Sequence, residues 1–386
     1  METKKAPLVF DYSIIGAGLA GLQLALAFLE DDFFDDKQIL LIDKSLQQKN
    51  DKAWCFWEKG QGKWEEIVSA NWEKAHFFSS RKTLTFSLAP YRYKRVHSQD
   101  FYEFALRQLR QAPHFHFVRD EILSVRGKQV IGQKNTYTAV HHFDSRIPQD
   151  YFEEQDRHTR ILQHFKGWTI ETPSPKFDPD AFTIMDFRLK WKNLTSFCYI
   201  LPFSPTRALV EYTFFTPHLV KDQVYEKQLR SYFHKFLNIE AFTVLATEEG
   251  VIPMTDFPFA DYHRKHLTKI GTAGGWVKAS SGYSFRKNQD RIAKLIENVK
   301  SGLPPSERLI DKNFRLLDKI FLQVLKDNNE KGEWIFERFY TANSPEACLR
   351  FLDEESSHID NLKIIGSLFS MAFIQALFKN LSPKKR

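Results

Sequence analysis

The chain has 386 residues, 42% hydrophobic and 27% charged, a composition that excludes intrinsic disorder and suffices for two or three structural units. Its formal charge of +7 fits attraction to anionic membrane surfaces or anionic cofactors, and nothing in it points to nucleic acid. Cys55, Cys198 and Cys348 lie far apart with no CxxC pair, which excludes a disulfide framework and a thiolate zinc site and favours a reducing, cytoplasmic setting.

The first predicted element is a strand over Phe10–Ile15, ending in Gly16-Ala17-Gly18-Leu19-Ala20-Gly21. A helix over Leu22–Leu29 and a strand over Gln38–Ile42 complete a strand–loop–helix–strand unit of about 30 residues. Residues 50–95 are rich in Trp and charge without clean periodicity and read as an irregular insertion. A helix over Ser98–Gln111 turns Phe101, Phe104, Ala105 and Leu109 inward, and short strands follow up to Phe143. Alternation then predicts strands over Phe182–Leu189, Ser196–Leu201 and Arg207–Phe215, with Pro202–Thr206 as a hairpin loop between the last two. A helix over Val220–Phe236 and a strand over Ala241–Thr247 come next, and the chain is helical beyond Gly282. The expected class is α/β: a Rossmann-like FAD-binding domain, an antiparallel-sheet substrate domain and a helical C-terminal region. The expected boundaries are 8–165 and 256–300 for the first, 166–255 for the second and 301–386 for the third.

Gly16, Gly18 and Gly21 follow a strand and open a helix, and Asp43 ends the next strand. In that setting the first glycine permits the tight turn, the second admits a pyrophosphate and the third lets helix meet strand. The helix N-terminus offers free N–H groups to the phosphates, and Asp43 can hold the ribose hydroxyls. A second glycine cluster, Gly271-Thr272-Ala273-Gly274-Gly275 and then Gly282, returns far downstream, which points to FAD over a nicotinamide dinucleotide as the tightly held cofactor. Cofactor contacts are therefore expected at Gly16, Gly18, Ala20, Gly21, Asp43, Gly271, Gly275 and Gly282. His141-His142 and His114-x-His116 lack a spaced third ligand, so no metal is expected.

From Asp11 to at least Tyr340 the chain resembles the flavin-dependent lycopene beta-cyclases of bacteria and plastids. The matching stretches are Asp43, Asp51–Trp57, Phe143-Asp144-Ser145-Arg146, Gln163–Trp168, Met185–Arg188, Leu209–Thr213, Glu249–Met254 and Gly271–Gly275. Lys52-Ala53 stands where Arg-Thr is more usual, and Ala279 and Ser281 stand where Pro and Thr are commoner.

The resemblance implies cyclisation of the linear ends of lycopene, or of a monocyclic carotene, into beta-rings by acid–base carbocation chemistry. It implies reduced FAD as the active form, with NADPH as the reductant, and no net redox change. It assigns the acid–base role to Glu211, with Asp186 and Glu249 as second candidates. The strand pattern alone puts Leu209, Glu211, Thr213 and Phe215 on one face, which is either an apolar wall or an exposed one. In an apolar wall the carboxyl would hold a proton at neutral pH. Asp186 and Arg188 share a strand face and read first as a structural ion pair, ahead of catalysis; Asp144 and Arg146 read equally as a flavin-edge site and as a structural turn.

The 36 Phe residues suit a hydrocarbon site, and Trp54, Trp57, Trp64 and Trp72 belong either to a core or to a pocket. No stretch reaches the roughly 18 apolar residues of a membrane span, so a lipid-soluble substrate implies peripheral docking on the membrane. The segment Leu362–Lys379 either makes that contact or packs on the core. A flavin monooxygenase or a prenyl or carotenoid reductase would share the Gly16–Gly21 loop, although the monooxygenase pattern has Gly-Asp where Gly271-Thr272 stands here. A non-catalytic nucleotide-binding module would need neither Glu211 nor the second cluster.

Overall fold

The computed structural model describes residues 9–45, 52–154 and 157–381; Asp51 and the basic Lys384-Lys385-Arg386 segment lie outside the described residues. Strand β1 (Val9–Ile15) runs into the first glycine loop, α1 (Leu19–Leu29) follows, and β2 (Ile39–Asp43) returns parallel to β1. Leu22, Leu24, Leu26 and Phe28 of α1 are all fully buried, because neighbouring helices as well as the sheet enclose it.

The expected irregular insertion over residues 50–95 is overturned. It folds into β3 (Ala53–Lys59), β4 (Val68–Trp72), β5 (Lys74–Phe78), β6 (Thr83–Ser87) and β7 (Tyr91–His97). In β7 the alternation is hidden because both sides are covered: it buries Lys94 and Arg95 beside Tyr93 and Val96, whereas β5 and β6 are short and carry polar residues on their open side. The Lys94 ammonium is held by Glu58 and Glu65, which makes its burial tolerable. Trp57, Trp64 and Trp72 are core residues.

The chain continues through α2 (Ser98–Leu109), β8 (Phe115–Arg119), β9 (Ile122–Arg126), β10 (Gln129–Gly132), β11 (Thr136–Asp144) and α3 (Asp150–Glu153). Next come β12 (Arg160–Glu171), β13 (Ala181–Asp186), β14 (Ser196–Pro202), β15 (Arg207–Thr216), α4 (Asp222–Tyr232), β16 (Thr243–Thr255) and β17 (Leu267–Lys269). Six helices close it: α5 (Phe285–Lys300), α6 (Lys312–Asp327), α7 (Gly332–Ala342), α8 (Pro345–Leu352), α9 (His358–Ser367) and α10 (Met371–Leu381).

The first sheet has the order β8-β2-β1-β11-β10-β9, parallel from β8 to β11, with β17 added parallel to β11. A second, largely antiparallel sheet has the order β16-β12-β15-β14-β13-β5-β6, so the hairpin β5–β6 from the early insertion completes it. β12 runs across the expected boundary at 165/166. Strands β3, β7 and β4 form a small third sheet. The strand expected over Ala241–Thr247 is only the start of β16, whose second half carries Gly250 and Pro253. An edge strand tolerates that proline, and a Cβ at Gly250 would lie 2.7 Å from the Phe165 ring. One core joins the parallel sheet to α1, α2 and α5, and another joins the antiparallel sheet to α6, α7 and α10.

Candidate active site

Two glycine loops meet at the end of the parallel sheet. Gly16 has φ of +102°, a region that only glycine enters freely. A Cβ at Gly21 would lie 1.9 Å from the Gly16 carbonyl oxygen, so the third glycine lets α1 rest on the strand end. Around Gly18 the opposite holds: no heavy atom lies within 4 Å of the place a Cβ would take. Asp43 accepts hydrogen bonds from the Ala17 and Ser45 N–H groups at 2.8 and 2.7 Å, which ties β2 to the loop. β17 delivers the second loop, where a Cβ at Gly271 would lie 2.8 Å from the Ala20 Cβ.

Both loops wall a cavity of about 670 Å³ that extends beneath the antiparallel sheet. Gly18, Ala20, Gly21, Gly271 and Gly282 line it; Gly16, Asp43 and Gly275 are not among its lining residues. Ile184, Met185, Phe197, Leu201, Phe336 and Tyr340 line it too. Trp54 is on the wall, unlike the three buried tryptophans. Four polar atoms on cavity-lining residues, Gln163 Oε1, Ser280 Oγ, Ser281 Oγ and Asn288 Oδ1, are buried without a hydrogen-bond partner in the protein. Such atoms are costly unless a ligand or water meets them. The open space at Gly18 and these four atoms fit a dinucleotide with a polar ring system.

The alternation of β15 brings Leu209, Glu211, Thr213 and Phe215 to the cavity wall. Glu211 occupies one row of the sheet, in which Tyr199 of β14, Glu211 of β15, Gly167 of β12 and Glu248 of β16 stand side by side. A Cβ at Gly167 would lie 2.6 Å from the Glu211 Cγ, so the glycine makes room for one carboxyl to reach the other. Burial, and then the hydrogen bond and charge of Glu248, push the Glu211 carboxyl well above the usual carboxylate range. Arg95 lies 3.9 Å from Glu248 on the far side. The Tyr93 hydroxyl bonds those of Tyr199 and Tyr283 at 2.9 and 3.0 Å, in a cluster that burial keeps neutral.

The other acids stand outside that row. Asp186 is fully buried, clamped by Arg188 and by the Tyr232 hydroxyl, and does not line the cavity. Glu249 also borders the cavity but is exposed, pairs in register with Lys166 and lies within electrostatic reach of Tyr225 of α4, one position out of the row that holds Glu211. Asp144 is held by Arg146 and Lys269, which outweigh its burial and keep its carboxyl below the usual range. His141 and His142 pack against Thr268 and Ser13, and among the described residues no group of three or more His, Cys, Asp or Glu could hold a metal. Glu248, Gly167 and the tyrosine cluster escaped the sequence reading. Only the doublet Glu248-Glu249 hinted at them, and the resemblance pointed to its second member.

Solved structures share this Rossmann-like α/β fold with its antiparallel sheet and helical end. A geranylgeranyl bacteriochlorophyll reductase-like protein from Thermoplasma acidophilum is 10% identical, with a TM-score of 0.59 over 97% of this chain and 99% of that one. A tryptophan halogenase from Shewanella frigidimarina is also 10% identical, with a TM-score of 0.57 over 97% of this chain and 96% of that one. Likeness at this level defines the fold. The family is narrower: the profile described as lycopene cyclase protein matches residues 11–378, and the chain belongs to that family. The lycopene beta-cyclase of Pantoea ananas is 27% identical over 397 residues, covering 95% of this chain and 97% of the relative.

Proposed function

We propose that this chain is a flavin-dependent lycopene beta-cyclase that closes the linear ends of lycopene, or of a monocyclic carotene, into beta-rings without net redox change. The observation that carries the reading is the buried Glu211 carboxyl, pushed well above the usual carboxylate range, on the wall of a cavity that reaches the glycine loops. Gly18 and the N-terminus of α1 would hold the FAD pyrophosphate, and Asp43 the ribose. Gln163, Ser280, Ser281 and Asn288 would meet the rest of the cofactor. A flavin held there and reduced by NADPH would supply negative charge beside a cationic substrate.

The chain's own residues carry the proton. Glu211 gives it to the terminal double bond, the neighbouring alkene closes the ring on the resulting tertiary cation, and a ring proton returns to the carboxylate. Leu201, Leu209 and Phe215 keep out the water that would capture the cation. The faces of Trp54, Tyr199 and Phe336 can each stabilise it by roughly 0.5–2 kcal/mol.

The reading also makes the protein cytoplasmic and peripherally bound to the membrane that holds the substrate. Among the described residues no helix is long and apolar enough to cross a membrane. Helices α9 and α10 expose Ile359, Leu362, Phe369 and Met371, while Ile364 of α9 packs in one cluster with Phe339, a cavity-lining residue. Pigment analysis after expression in lycopene-accumulating cells tests the function: a beta-ringed carotene is expected, and unchanged lycopene would refute it. Product formed without oxygen and without net hydride uptake would set aside a monooxygenase and a reductase.

A further inference from the structure

The cyclase reading leaves one requirement open. The same site must give up a proton to a hydrocarbon and then recover one from a ring carbon. A lone buried carboxyl strong enough as an acid is a poor base afterwards, whereas two carboxyls in contact resist the state in which both are charged.

We propose that Glu248 is the proton partner of Glu211: the two carboxyls, brought together over Gly167, hold one proton between them, and the charge of Glu248 beside the newly formed Glu211 carboxylate makes it base enough to take the ring proton back in every turnover. This rests on the cyclase reading and adds to it a residue that acts through Glu211.

Three observations support the pair. The register places both residues opposite Gly167 in neighbouring strands, and a Cβ there would intrude 2.6 Å from the Glu211 Cγ. The two members are unequally exposed: Glu211 is buried, while the Glu248 side chain is 32% exposed at the sheet edge. Both residues line the cavity, and Glu248 is the member of the pair that is more open to protons. Finally, Arg95 lies 3.9 Å from Glu248 and its charge also reaches Glu211, so a cation stands beside the pair and favours one negative charge on it.

The groups facing the pair are Cys55 on β3, Arg95 and His97 on β7, Tyr199 on β14, and Tyr283. Burial pushes the thiol and both phenols up and the imidazole down, so all four are neutral near pH 7 and Arg95 carries the charge.

The balance is simple. A C–H bond forms as the O–H bond of Glu211 breaks, leaving two carboxylates and a substrate cation. The ring C–C bond closes, a ring C–H bond breaks, and its proton restores the singly protonated pair. No electron is gained or lost.

Glu248→Gln tests this on the full-length holoenzyme. The amide keeps the shape, removes the like charge and can donate to the Glu211 carboxylate, so Glu211 should ionise more readily. The alkaline limb of the cyclisation rate should move to lower pH by about one unit or more, with activity recovered at acidic pH. The infrared C=O band of a protonated carboxyl, present at pH 7 in the parent and lost in Glu211→Gln, should titrate away at correspondingly lower pH. Gly167→Ala should move the band in the same direction by separating the pair. A parental pH limb and band in Glu248→Gln would overturn the proposal, as would the absence of the band in the parent at neutral pH. The infrared readout needs no lycopene. A protein with the shifted band that cyclises nothing refutes the cyclase and keeps the pair, whereas cyclisation with an unshifted limb refutes the pair and keeps the cyclase.

Discussion

The Tyr232 hydroxyl donates to the Asp186 carboxylate at 2.5 Å, on the side where Arg188 holds both carboxylate oxygens. Arg188 in turn lies over the rings of Phe78 and Phe236, at 4.1 and 4.9 Å from their centroids. A carboxylate so satisfied fastens the end of β13 to α4 and has no free oxygen for chemistry. We expect Asp186→Asn to lower folding stability by roughly 1–3 kcal/mol in urea titrations, while the folded fraction keeps parental cyclisation. Parental stability with lost cyclisation would return Asp186 to the reaction.

Glu211→Gln keeps the shape and the row contacts but cannot exchange a proton. The variant should fold, bind FAD and form no cyclic carotene, a rate loss of about 10² to 10⁴ or more. Glu249→Gln, altered one position out of the Glu211 row, should cyclise lycopene at close to the parental rate. Chromatography of the pigments from both variants decides, and the reverse result would mean that Glu249 is the acid.

Two glycines of one loop should fail in different ways. Gly18 has open space around its missing Cβ, so Gly18→Val should leave thermal stability intact and abolish flavin binding by filling the place of the pyrophosphate. At Gly21 a Cβ would collide with the Gly16 carbonyl, so Gly21→Ala should lower the melting temperature as well. A normal flavin spectrum in Gly18→Val would sink the cofactor assignment.

His164 is buried, bonded to Thr216 and to the Tyr225 hydroxyl, and burial lowers its pKa to about 4. His141 and His142 are lowered to about 4 in the same way. The unfolded chain takes up these protons near pH 6.5, before the native state does, so their stabilisation is complete above about 6.5 and lost as pH falls toward 4. Burial pushes Asp353 up to about 7, and its linkage runs in the opposite sense, so a difference between variants is the clean measurement. His164→Gln should be less stable than the parent at pH 7, with the gap in urea midpoint narrowing toward pH 4. A constant gap would mean that His164 does not titrate with folding.

Leu362 and Phe369 are 70% and 71% exposed, so Leu362→Glu with Phe369→Glu should not disturb folding. The parent should sediment with vesicles containing anionic lipid and be released in part by high salt. The double variant should sediment less. Release by detergent alone, with no response to salt, would contradict peripheral docking.

The sequence made some of this legible for physical reasons. The Gly16–Gly21 loop is local, and β15 is legible from its run of β-branched and aromatic residues after a turn, although both of its faces are buried. The turn at Pro202–Thr206 announces itself by its prolines. In β7 burial on both faces erases a period of two, the other strands before it are only five to seven residues long, and Gly250 and Pro253 masked half of β16. Glu248 was the harder miss. Its meeting with Glu211 depends on how β15 and β16 each register against β12, and no window of sequence around Gly167 contains either partner.

The contact between Gly271 and Ala20 also sets an order of events during synthesis. The Gly16–Gly21 loop leaves the ribosome early, but its opposite wall belongs to β17 and the loop behind it, which appear only in the last third of the chain. At about 5–20 residues per second, the N-terminus of α1 spends an interval on the order of tens of seconds with nothing facing it. A cofactor that needs both walls has no complete pocket on a nascent chain, so its capture falls at the end of translation and not with the folding of the first strand–helix–strand unit.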